Sequence, residues 1–122
     1  MIRILIAVLI LLTFSAPASA KGRTFRLSLV AAIAAHTADI TTTAYCLGQG
    51  TCREANPALR WAEDKPVALG LTKGAMAGSL QLIPAYLARH GHEKWAIVFN
   101  VAQTVAFTGI AMRNARMTEP RK

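Results

Sequence analysis

The chain has 122 residues and a formal net charge of +8; 53% of its residues are hydrophobic and its mean hydropathy is +0.35. That length holds one domain, and a soluble chain so short exposes too much surface to hide several helices that are apolar all round. The charge does not read as nucleic-acid binding, because Lys and Arg lie in short clusters between apolar runs, with no interleaved aromatics and no binding motif.

Residues 1–20, MIRILIAVLILLTFSAPASA, place Arg3 before an apolar centre and Ala18-Ser19-Ala20 before Lys21. This is a secretory signal pattern with an A-x-A cleavage site; an uncleaved first span is the alternative. The apolar centre is shorter than the ~20 residues a span needs, and Pro17 suits a break before cleavage. Residues 21–122 then form one membrane domain. Its three apolar runs, at about 26–47, 66–88 and 95–112, read as antiparallel transmembrane helices. Tyr45, Trp61, Tyr86 and Trp95 fall near the ends of these runs, where amphipathic rings settle at the headgroup level. The expected fold class is an all-α polytopic membrane protein in the cell's inner membrane.

The joints are legible. Gly48-Gln49-Gly50 stops the first helix through a left-handed cap. Asn56-Pro57 is an N-cap with Pro at the first helical position, which starts a short surface helix over 58–64 with Leu59 and Ala62 on one side. Asp64-Lys65-Pro66 opens the second span, and residues 89–94 make a polar turn. A translocated Lys21 puts the 48–65 loop in the cytoplasm, and the basic residues favour that side by a small surplus. Cys46 and Cys52 bear on the same choice: a reducing cytoplasm leaves them thiols, an oxidising compartment allows a bridge.

The polar residues within the runs carry what functional signal there is. An ionised Asp at a helix centre costs about 2.5–3.5 kcal/mol on insertion scales, so Asp39 needs a partner. Asp39 precedes the loop end of its helix by about as many residues as Lys73 follows the start of the next. At ~1.5 Å per residue both lie on the order of 10–13 Å below one surface, and an Asp39–Lys73 contact is expected. His36, Asp39, Thr42, Thr43 and Cys46 share one stripe of the first helix. Gly70, Gly74 and Gly78 make a small-xxx-small ridge on the second, suited to a homodimer or a membrane-protein partner. Asn100, Gln103 and Thr104 give the third a polar patch.

The order D-x-x-T-T … G-x-x-x-E-x-N-P, carried by Asp39, Thr42, Thr43, Gly50, Glu54, Asn56 and Pro57, resembles a family of small prokaryotic integral membrane proteins of unknown function. In that family a lysine follows in the next helix, a place that Lys73 matches. The resemblance covers about residues 35–78; it implies three or four membrane helices and carries no established activity, cofactor or catalytic residue. The candidate cluster is therefore His36, Asp39, Thr42, Thr43, Glu54, Asn56 and Lys73. Glu54 has two classes of partner open to it: the amides at the start of the Asn56 helix, or the guanidinium groups of Arg53, Arg60, Arg113 and Arg116.

No catalytic set is complete. Ser79 has no matched His and carboxylate, a lone Asp39 makes no aspartyl dyad, and His90, His92 and Glu93 lie in a turn without a fourth ligand. No metal or cofactor is expected. The leading role is helix packing or partner association in the bilayer. An ion- or proton-coupled pathway for a small solute is the alternative, and a membrane-embedded enzyme is third.

Overall fold

The computed structural model describes residues 22–118. The signal-like segment 1–20 lies outside the described residues, as do Arg121 and Lys122. All regular structure among the described residues is helical: α1 (Arg23–Gly48), a short 3-10 helix (Pro57–Ala62), α2 (Pro66–Arg89) and α3 (Glu93–Thr118).

Local chemistry sets most of these limits. At the end of α1 the amide of Gln49 reaches the Tyr45 carbonyl at 3.1 Å, and Gly50 takes φ +66°, a conformation open to a residue without Cβ. Gly50 and Thr51 then return amides to the Leu47 and Cys46 carbonyls at 3.0 and 3.3 Å. The α2–α3 turn repeats the device, with Gly91 at φ +81° and the His92 amide on the Leu87 carbonyl at 2.8 Å. Pro66 opens α2, where a missing N–H costs nothing. The surface segment is shorter and tighter than the 58–64 helix expected, but it does bury Leu59 and Ala62. Helix α3 runs to Thr118 rather than stopping near residue 112.

Helix α1 packs most extensively on α3 and least on α2. Ala32 and Ala35 on α1 and Ala96 and Ala111 on α3 are all buried, small residues that let the two backbones approach along their seam. Apolar clusters close the two ends. At one, Phe25 and Ala96 pack with Leu29, Leu87, Ala88 and Ile97; at the other, Leu59, Ala62 and Leu69 pack with Leu47 and Ala68.

Polarity is inverted between these ends. Ser28, His36, Asp39, Thr43, Asn100, Gln103 and Asn114 are buried, whereas Leu27, Val30, Leu71, Leu82, Ile83, Val98, Val101 and Val105 are exposed. Helix α3 is long and apolar enough to cross a membrane.

The seam makes a specific demand. Ala32→Leu, at a position with no exposed surface, should cost about 1–3 kcal/mol through overpacking. Leu27→Ala, at 61% exposure, should stay within about 0.5 kcal/mol. Thermal unfolding of the purified variants checks the contrast.

Candidate functional site

Lys73 is the centre of the site. Its Nζ donates to Asp39 Oδ2 at 3.0 Å and to Thr43 Oγ1 at 3.1 Å. It also lies 3.1 Å from Glu54 Oε2, a contact of charge without hydrogen-bond alignment, since that oxygen has no hydrogen-bond partner. The side chains of Lys73 and Asp39 are 9% and 5% exposed. The Thr43 hydroxyl is fully used: it donates to Asp39 Oδ1 at 3.2 Å and accepts from both Lys73 and Asn114 Nδ2, the latter at 2.9 Å. One threonine thereby joins α1, α2 and α3.

Glu54 arrives from the loop, and its path is built locally. Cys46 and Cys52 are joined, with Cα atoms 5.6 Å apart, which ties the chain just before Glu54 to the last turn of α1. Past Glu54, the Asn56 side chain caps the 3-10 helix by accepting from the Ala58 amide at 3.0 Å. The Asn56 amide itself donates to Glu54 Oε1, also at 3.0 Å. The Glu54 amide is taken by Glu63 Oε1 at 2.8 Å. Of the partners open to Glu54 in the sequence, the amide is used and the arginines are not. Lys73 takes their place, with its Nζ 3.1 Å from Glu54 Oε2.

The expected cluster is therefore gathered in part. Asp39, Thr43, Glu54 and Lys73 meet, and Asn56 supports Glu54 from the backbone side. Thr42 stays apart; its hydroxyl donates to the Ala38 carbonyl at 2.7 Å, the back-bonding a helical threonine makes when no better acceptor faces it. His36 forms a separate layer. Its Nε2 donates to Gln103 Oε1 at 2.8 Å, which also receives Gln81 Nε2 at 3.3 Å, and its ring lies against Phe107 with centroids 3.9 Å apart. A third layer pairs Asn100 Nδ2 with Ser28 Oγ at 3.1 Å. Asn114, which completes Thr43, was missed from sequence because it lies beyond the apolar run that marks the third helix. Ser28 and Gln81 were missed as pairing residues because each is a single polar position on an apolar stretch. Among the described residues no group of three or more His, Cys, Asp or Glu could hold a metal ion.

A cavity of about 250 Å³ adjoins the cluster. Asp39, Glu54, Asn56, Lys73 and His36 line one part, and Ile40, Leu59, Met76, Ala77, Leu80, Phe107 and Ile110 the rest. It occupies the space left where α1 and α2 pack least.

These features define a class: among the described residues, three long helices are pinned by a buried two-carboxylate, one-ammonium cluster. The chain belongs to the family of a domain of unknown function, DUF5658, whose model matches residues 30–119. That span contains the whole cluster. No curated protein matches the chain, and no solved structure does.

Two measurements probe this geometry. Lys73→Met strands two buried carboxylates and should cost about 3–5 kcal/mol; adding Asp39→Asn and Glu54→Gln should recover most of that, because no buried charge is then unpaired. Denaturant unfolding of the single and triple variants reads the difference. For the loop, alkylation of quenched cells should label Cys46 and Cys52 only after reduction, as expected of a joined pair; labelling without reduction would show the two thiols free in the cell.

Proposed function

We propose that the protein is a small polytopic membrane protein of the inner membrane. In this reading its three long helices cross the bilayer, and its buried ion cluster fixes the register in which they pack, among themselves or with a partner. The observation that carries this is the inverted polarity. With lipid as the outer solvent, apolar perimeter residues lose nothing by exposure, and interior polar groups bind the helices together. Helices α1 and α2 have 26 and 24 residues, and at ~1.5 Å per residue each exceeds the ~30 Å hydrocarbon core. Their average apolarity is lowered by His36, Asp39, Thr43, Lys73 and Gln81, the residues turned toward protein. Exposed Tyr45 and Trp61 ring one end of the bundle and exposed Tyr86 and Trp95 the other, the placing of interfacial aromatic belts.

Partner association is supported by the Gly70, Gly74 and Gly78 ridge. A Cβ placed on Gly74 would meet nothing within 4 Å, so the chain leaves the centre of that ridge free, whereas Gly70 at its start is buried within the chain. The cavity beside the cluster favours the solute pathway as a second reading, in which Asp39→Asn abolishes a flux measured in reconstituted vesicles.

The membrane assignment has a direct test. Tagged protein expressed in bacterial cells should remain in the membrane pellet after an alkaline carbonate wash; release into the supernatant would end this reading.

A further inference from the structure

We propose that the Cys46–Cys52 bond is a thiol-exchange site, opened at Cys52 by an external thiol, and that its opening unseats Glu54 from the buried ion cluster. This goes beyond the packing role. It does not need the bilayer, since the bond, the loop and the cluster lie within one chain.

The first argument is what the bond holds. It joins residues six apart and ties the chain, two residues before Glu54, to the last turn of α1. Three other contacts keep Glu54 in place. Its amide meets Glu63 Oε1, the Asn56 amide meets its Oε1, and the Lys73 ammonium lies 3.1 Å from its Oε2. The first two are made within the loop and can travel with it. Leu59 and Ala62 anchor the far side of the loop beside Leu69 and Leu47, so the stretch from Cys52 to Asn56 is the part under the bond's control.

The second is that the seat is costly. Asp39 and Glu54 bring two carboxylates to one ammonium, and Glu54 Oε2 is buried with no hydrogen-bond donor. Released from the cluster, Glu54 regains water, and Asp39 and Lys73 remain as a balanced pair. A short covalent loop opposes that release, because it removes conformational freedom that the open segment would gain.

The third is that the bond can be approached from one side. Cys46 has no exposed surface, Cys52 is half-buried, and Arg53 beside it is exposed. An incoming thiolate therefore meets Cys52 Sγ, in a segment where a guanidinium adds positive charge. A bond forms between the external sulfur and Cys52 Sγ as the Cys46–Cys52 bond breaks, and the electron pair leaves on Cys46 Sγ. That sulfur lies 3.5 Å from Thr51 Oγ1, whose hydroxyl can donate to the departing thiolate before it takes a proton from water. A second external thiol frees Cys52 by the same exchange. In balance, two external thiols are oxidised to one disulfide and the protein's disulfide is reduced to two thiols.

The test uses the full chain purified in detergent, with reduced glutathione as the probe thiol. Brief exposure, then quenching with N-ethylmaleimide in denaturant, should place the glutathione adduct on Cys52 and the maleimide on Cys46, read by fragment mass spectrometry. After complete reduction, hydrogen exchange at the Glu54 and Asn56 amides should speed by about tenfold or more, while helical amides around Asp39 and Lys73 stay within about twofold. A variant with both Cys46→Ser and Cys52→Ser should exchange like the reduced protein with or without thiol; if it does not fold, the oxidised and reduced wild type decide. A bond that glutathione cannot open in the folded protein, a first adduct on Cys46, or equal exchange at Glu54 in the two states would each overturn the proposal. So would cysteines that stay unjoined in oxidised glutathione.

Discussion

One ammonium group holds this molecule in register. Lys73 reaches from α2 to Asp39 and Thr43 on α1 and to Glu54 in the loop, and Thr43 passes the connection to Asn114 on α3. A buried charge is tolerated only with partners around it, so each element must arrive at one depth and one rotation. A slip of one residue in any helix turns its polar group about 100° away. The loop is bound by the same constraint. Its covalent tie at Cys52, the Glu54–Asn56 amide contact and the Asn56 cap form a short rigid path that presents the second carboxylate.

Above that cluster the interior continues as paired polar groups, His36 with Gln103 and Gln81, then Ser28 with Asn100, before Phe25 and Ala96 seal the far end. Such an interior gives little hydrophobic driving force. What it supplies is direction, because a hydrogen bond has one geometry where an apolar contact has many. The small residues of the α1–α3 seam work with it by bringing the backbones close enough for short side chains to meet. The same close packing leaves α2 standing off from α1, and the cavity is the space between them. Site and scaffold are thus one arrangement: the group that pins the helices also charges the wall of the cavity.

Much of this was legible in the sequence. The periodicity of His36, Asp39, Thr43 and Cys46 marks a single helix face, and equal distances from the loop set Asp39 level with Lys73. Helix limits at Gly50, Pro66 and Gly91 follow from residues whose backbone chemistry is local. The sequence reading did not separate Thr42 from Thr43, since both fall on the predicted stripe and only helix rotation decides which one meets a partner. It also could not choose the partner of Glu54, because Arg53 and Arg60 lie nearer in the chain than Lys73 and spacing alone does not rank them against it.

By itself, then, the sequence determined an all-helical chain, the spacing of its buried charges along their helices and the reversal that brings them level, because these depend on spacing along one helix or across one turn. The tertiary structure alone decided that Glu54 folds beneath the helix ends, that Asn114 closes the threonine's bonds, that His36 and Gln103 form their own layer, and that a cavity remains. Those outcomes rest on the rotation and separation of helices packed against one another, which no local pattern encodes.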